Sequence, residues 1–267
     1  MKIPRMRERG KKAYTWLPKS NHILLDIGCG VGEFTGYFQG KATTVIGCDI
    51  SLDNLRNAQR ENPDLYFVQC ECEYLPFKND TVGAVVCTDV LEHTNSKKQT
   101  IHEIFRVMKE EATMCLSVPY KGSFWFLDVE NFRYYINELI TTPLSPPLQG
   151  GDEEAVRLKV SNLPPSQGGD EGEVFRSIKK KVKSGLPHKH FTFAELKELV
   201  HNFTILKYSR TGCFIYPICL IAYRVTKRLR ITFLDRFVRF LADADYSIAY
   251  GRHAFNIMLL VKKPKKK

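Results

Sequence analysis

The 267-residue chain has no apolar run long enough to cross a bilayer. The nearest, CFIYPICLIAY at 213–223, carries a proline and is too short. The basic start MKIPRMRERGKK is followed by no apolar core segment, so no secretory leader is expected. Four of the eight cysteines, Cys29, Cys48, Cys87 and Cys115, lie in or beside apolar strand-like runs. That reads as reduced thiols in a cytoplasmic protein. Cys70 and Cys72 form a C-x-C pair with no second pair or suitably spaced histidine, so no metal site is expected.

Acidic residues are too few to balance the chain, whose formal net charge is +11. The excess gathers in the first twelve residues, in RSIKKKVK (176–183), in RVTKRLR (224–230) and in KKPKKK (262–267). Clustered positive charge favours anionic partners such as phospholipid headgroups or nucleic acid, and otherwise makes solvated faces.

Short apolar runs alternate with helical periodicity through the first 120 residues. Strands are predicted at 22–27 (HILLDI), 44–49, 65–69, 83–88 and 112–118, with helices at about 32–39, 51–61 and 97–109. Strands joined by helices imply right-handed crossovers and a parallel sheet. The pattern then breaks. PPLQGGDE (146–153) recurs as PPSQGGDE (164–171), and such sequence cannot bury a core. Residues 141–186 are therefore expected to be a low-complexity, disordered insertion. Order is expected again at PHKHFTFAELKELV (187–200), where Thr192 and Glu195 have capping-box spacing. Strands FTILKYS (203–209) and FNIMLLVKK (255–263) follow, separated by a basic, amphipathic, helical segment at about 212–251.

The stretch ILLDIGCGVGEF (23–34) delivers a buried strand to a glycine turn. Its glycines, Gly28, Gly30 and Gly32, give G-x-G-x-G; the dinucleotide fingerprint G-x-G-x-x-G would need glycine where Glu33 stands. No Lys-Ser/Thr follows, which excludes a P-loop. Asp26 would repel a pyrophosphate and suits a ligand with an ammonium group or hydroxyls. Asp49, at the end of the second strand, can accept from both hydroxyls of a ribose. Glu71 closes the third strand near where an adenine edge would lie. Each acid alone could mark a strand end facing water; the three with the glycine turn form one nucleoside-binding constellation.

LLDIGCGVGEF, VIGCDIS, FVQCECEYLPFKNDTVGAVVCTDVLEH and IHEIFRVMKEEATMCLSVP together resemble the successive motifs of class I S-adenosylmethionine-dependent methyltransferases. The nearest group is the small-molecule branch of ubiquinone-biosynthesis-like enzymes (methyltransferase type 11). The resemblance covers about residues 20–120, plus HKHFTFAELKELV. It implies an α/β, Rossmann-like fold with a seven-stranded, mostly parallel sheet whose last strand is antiparallel. Residues 1–140 would form the cofactor-binding core and 187–267 the C-terminal part of the same domain. The cofactor implied is S-adenosylmethionine. Asp26, Gly28 and Gly30 would line its methionine end, Asp49 would hold the ribose, and Ile50 would pack on the adenine. Glu71, where the family commonly has Asp, would accept from the adenine amino group, with the Cys72 backbone N–H at the ring. Thr88 would face the sulfonium.

Methyl transfer needs the acceptor held in line with the carbon–sulfur bond, and a hydroxyl acceptor also needs a base. His93, just past the fourth strand, is the candidate base, although LEH is frequent in the family whatever the acceptor. Pro119, Tyr120, His188 and His190 are candidates for the acceptor side. The expected acceptor is a small molecule or lipid-linked compound, with peripheral association at an anionic membrane surface. The alternatives are an RNA methyltransferase, for which no separate RNA-binding module is evident, and a non-catalytic binding or assembly protein on the same scaffold.

Overall fold

The computed structural model describes residues 8–123, 125, 189–212, 237–238, 240–241, 244–245 and 247–266. The expected insertion at 141–186, His188 and most of the basic segment at 212–251 lie outside them. Met1–Val129 and His188–Lys267 group into one compact unit.

Seven apolar runs become seven strands: β1 (Ser20–Ile27), β2 (Ala42–Asp49), β3 (Tyr66–Gln69), β4 (Val82–Thr88), β5 (Met108–Pro119), β6 (Thr204–Thr211) and β7 (Asn256–Lys262). They form one sheet in the order β3-β2-β1-β4-β5-β7-β6. The first five are parallel, and β7 runs against both β5 and β6. This is the class I methyltransferase fold expected of the sequence. Strand order reverses between β1 and β4, and ligands of open α/β sheets bind beyond the carboxyl ends at such a point.

The helices are α1 (Glu8–Trp16), α2 (Leu52–Glu61), α3 (Lys97–Val107) and α4 (Phe193–Leu199). Both sheet faces are covered, so the central strands are apolar on both sides. Along β4, Ala84 and Val86 join one cluster with Ala13 and Leu17 from α1 and its C-terminal flank. Val85 and Cys87 join the other with Ile101 and Ile104 of α3. Ser51 and Ser96 cap α2 and α3 by accepting from Asn54 N (3.3 Å) and Gln99 N (3.3 Å). Thr192 and Glu195 make the expected capping box at α4.

Three expectations need correction. The helix at 32–39 is only a short 3-10 segment, Thr35–Gly40. Gly32 takes a positive φ of 74°, and Thr35 turns inward to bond Asp26, so regular helix cannot start where the periodicity begins. α3 ends at Val107, two residues early, because Met108 is already extended and starts β5. The basic start, read only as charge, contains α1. Its buried Gly10, Ala13 and Leu17 make a helical stripe against the sheet.

The basic tail is also more than a solvated run. Lys263 is buried, and its ammonium donates to Asp80 Oδ1 (2.7 Å), Phe105 O (2.8 Å) and Met108 O (2.6 Å), satisfying carbonyls at the C-terminus of α3. Lys262 pairs with Glu111 at 2.8 Å. These groups lie at the amino ends of β4 and β5, away from the glycine turn. No helix among the described residues is long and apolar enough to cross a membrane.

Candidate functional site

At the carboxyl end of β1 the chain turns through Gly28 (φ 67°), Gly30 (φ 54°) and Gly32 (φ 74°). Gly28 is required twice over, since a Cβ there would stand 2.2 Å from Val90 Cγ2. Gly30 is required by its φ alone. No atom lies within 4 Å of its missing Cβ, so the backbone is open to close approach. The turn is closed by Gly32 N to Cys29 O (2.9 Å) and tied to β2 by Cys29 N to Cys48 O (3.0 Å).

Asp49 joins this turn to the next strand end. Its Oδ2 accepts from Gly30 N at 2.9 Å and its Oδ1 from Ser51 N at 2.8 Å. The carboxylate is thus fixed in place by two backbone donors, with further lone pairs available on each oxygen. Asp26 is buried beneath the turn and accepts from Thr35 Oγ1 at 2.6 Å. Burial pushes its carboxyl up to about 7; the Thr35 bond pulls the other way, and the nearby negative charge of Asp49 adds to the rise.

A cavity of ≈ 240 Å³ opens at the strand-order reversal. Asp26, Gly28, Gly30 and Thr88 line it, together with Arg9, Glu33, Phe34 and Asp89. Arg9, from α1, forms an ion pair with Asp89. Asp89 holds a positive φ of 55° and accepts from Ser117 Oγ at 3.1 Å. The cavity therefore carries both signs of charge. Arg9, Phe34, Thr35 and Asp89 were missed in the sequence. Asp89 directly follows the predicted Thr88, but Arg9 lies in a segment whose helical stripe was overlooked.

The remaining cofactor-side residues gather at the ends of β2 and β3, outside the cavity lining. Ile50 follows Asp49 and is 37% exposed; Val31, which lines the cavity on the glycine turn, is 46% exposed, so two apolar side chains are open to a ligand face. Glu71 and Cys72 are half-buried just beyond β3. Burial pushes the Cys72 thiol up to about 12.

On the acceptor side, Pro119 and Tyr120 meet the returning chain through Phe191 N to Pro119 O (2.9 Å) and Lys121 N to Phe191 O (2.8 Å). This brings His190 beside them, buried, with its ring 5.7 Å from that of Trp125. Tyr120 is held by Arg210, whose Nη1 donates to the phenol oxygen at 3.0 Å. His93 ends the 3-10 turn Leu91–His93 and is exposed, outside the cavity lining, whereas its neighbour Glu92 is buried. Among the described residues no group of His, Cys, Asp and Glu could hold a metal ion.

Residues 25–116 match the family model described as a methyltransferase domain. The chain is 34% identical over 105 residues to the uncharacterized protein MJ0638 of Methanocaldococcus jannaschii, covering 39% of this chain and 44% of that protein. It is 30% identical over 100 residues to the ubiquinone/menaquinone biosynthesis C-methyltransferase UbiE of Pasteurella multocida, covering 34% and 37%. The chain thus spans less than half the length of these curated relatives. Phosphoethanolamine N-methyltransferase 2 of Haemonchus contortus, solved with phosphomonomethylethanolamine and S-adenosylhomocysteine, shares the fold. Its TM-score is 0.53 at 14% identity, over 96% of this chain and 51% of that one.

Proposed function

We propose that this chain, which carries a class I S-adenosylmethionine-dependent methyltransferase domain, transfers a methyl group to a small-molecule acceptor. The observation that carries the reading is the fixed Asp49 carboxylate beside an open glycine turn. The site fits the cofactor in three respects. Gly30 leaves its backbone free for close approach, Asp49 has lone pairs for ribose hydroxyls, and the two-signed cavity suits an amino-acid zwitterion. S-adenosylmethionine bound there supplies an electrophilic methyl on a sulfonium.

In this reading Asp49 holds the ribose, Ile50 covers one adenine face, and Glu71 with the Cys72 N–H meets the adenine edge. Asp26, Gly28 and Gly30 line the methionine end, and Thr88 borders the sulfonium. The cation there favours ionised Asp26, which becomes a charge partner when the site fills. The protein's main task is then to align the acceptor, since the leaving group is already good. Pro119, Tyr120 and His190 line the acceptor side in this reading; His188, the other candidate, lies outside the described residues. A hydroxyl acceptor would draw on His93 as base.

Lipid-linked acceptors are the finer part of the proposal. The described residues between 237 and 247 are helical, and Phe237 (52%) and Phe240 (66%) are exposed there. Co-sedimentation with anionic liposomes at low salt supports this part, and protein left in the supernatant removes it.

The test of the main reading is calorimetric titration with S-adenosylmethionine and S-adenosylhomocysteine, using wild type and Asp49→Ala. Loss of charged hydrogen bonds of about 1.5–3 kcal/mol predicts binding weakened roughly 10- to 150-fold in the variant. Absence of binding by folded wild type would leave the glycine turn as architecture only.

A further inference from the structure

Beside Tyr120, at the carboxyl end of the sheet, one arginine is held in place without an acid. Pro119 of β5 and Thr211 of β6 both pair with Asn256 of β7, so these strand ends stand level. Arg210, one residue before that level, is half-buried and lies on the same face of β6 as Tyr208. Its guanidinium carbon is 5.5 Å from the ring centre of Tyr120, 5.6 Å from that of Tyr208 and 6.0 Å from that of Phe193. Nη1 donates to the Tyr120 phenol oxygen at 3.0 Å. Among the described residues no carboxylate pairs with this guanidinium, and Nε and Nη2 make no hydrogen bond but reach solvent. Arg9 in the cofactor cavity has Asp89; Arg210 has three rings and a phenol. Such packing fixes the plane of the guanidinium and leaves its charge without a counterion.

We propose that Arg210 anchors a carboxylate or phosphate group carried by the methyl acceptor, held at the end of β6 by the open edge of the guanidinium. Nε–H and one Nη2–H point in parallel on that edge and match two oxygens of either group. β6 stands three strand spacings from β4, roughly 14 Å. The anionic group is therefore a handle at the far end of the acceptor and not the methylated atom, and the nucleophilic end extends towards Thr88. Tyr120 is a positioning residue here, since its phenol holds the guanidinium. The acceptor role rests on the proposed methyl transfer; the anion site does not.

The neighbouring charges favour an anion as well. The Lys121 ammonium lies 5.4 Å from the Trp125 ring centre, and that ring is 5.7 Å from His190. Lys189 stands 3.8 Å from Glu195. Glu195 is already engaged at the α4 cap, accepting from Thr192 N at 2.7 Å and Thr192 Oγ1 at 2.8 Å. The Thr192 bonds, with Lys189 and Lys121 adding to them, hold its carboxyl below the usual value against burial. Two lysines thus share one acid that serves the helix, and Arg210 adds a cation that no acid answers. A neutral acceptor would leave this excess unused.

The experiment titrates the full, nitrogen-15-labelled chain with inorganic phosphate and with malonate at fixed ionic strength, following arginine Nε–Hε signals by nuclear magnetic resonance. The signal that is missing from Arg210→Lys is expected to move with one or both anions, and to stay in place with malonamide, the neutral counterpart of malonate. The anion that binds more tightly tells phosphate from carboxylate. In calorimetry, Arg210→Gln, with its fold checked by circular dichroism, is expected to bind that anion at least about tenfold more weakly. Lys262→Gln, which removes a cation at the opposite end of the sheet, should bind it as wild type does. If Arg210→Gln does not fold, the wild-type signal decides. An Arg210 signal indifferent to both anions, or equal losses in the Gln variants at 210 and 262, would overturn the proposal. With methyl-labelled S-adenosylmethionine and a small-molecule cell extract, the labelled product is expected to be retained on an anion-exchange resin. A neutral labelled product would overturn the role of the anion as the acceptor's handle. Absence of label, with the Arg210 signal still moving, would count against methyl transfer while leaving the anion site standing.

Discussion

The two ends of the sheet use charge in opposite ways. At the amino end, each buried charge is answered. Arg106 donates to both Glu103 oxygens (2.7 and 2.8 Å), to Asn79 Oδ1 (2.8 Å) and to the carbonyls of Phe77 (2.8 Å) and Leu75 (2.9 Å). Lys263 likewise meets Asp80 and two helix-end carbonyls. At the carboxyl end, Asp26 is buried and accepts from the Thr35 hydroxyl, beneath a turn whose three glycines hold positive φ. The first end closes on itself and serves stability. The second keeps a buried acid held by a neutral hydroxyl, the signature of a site awaiting a ligand.

Changes at the two ends should therefore separate stability from binding. Arg106→Ala leaves Glu103 buried without its cation and is expected to cost about 3–4 kcal/mol in urea unfolding, with cofactor affinity of the folded protein unchanged. Asp26→Asn should act the other way. Because burial raises this carboxyl to about 7, its charged form is the one that folding disfavours. The wild type thus loses stability as pH rises from about 4 through 7, and the variant does not. The expected gain for the variant is about 4 kcal/mol at pH 8 and none below pH 4, accompanied by weaker cofactor binding.

The carboxyl end was the more legible of the two in the sequence. Strand, glycine turn and Asp49 are close in sequence, and their spacing carries the chemistry. Its walls were less legible. Arg9 arrives on α1, whose stripe of Gly10, Ala13 and Leu17 is masked by six Lys and Arg among the first twelve residues. Thr35 reaches Asp26 only because the 3-10 segment replaces the expected helix. The amino end was scarcely legible. Lys263 looks like one lysine of a basic tail, and only β7 pairing with β5 brings it under α3.

Smaller substitutions sharpen the contrast. Gly28→Ala faces both a positive φ and Val90, and should cost about 2 kcal/mol, whereas Gly30→Ala should cost about 1 and still weaken cofactor binding. Thr192→Ala removes only the α4 cap and should cost about 1 kcal/mol in unfolding, with cofactor binding unaltered.

Hydrogen–deuterium exchange with and without S-adenosylhomocysteine tests the division between the two ends most directly. The account predicts slowed exchange at 28–33, 49–52 and 70–74, with no change at 78–82, 105–109 and 261–264. Protection confined to the amino end, or a glycine turn indifferent to the ligand, would contradict it.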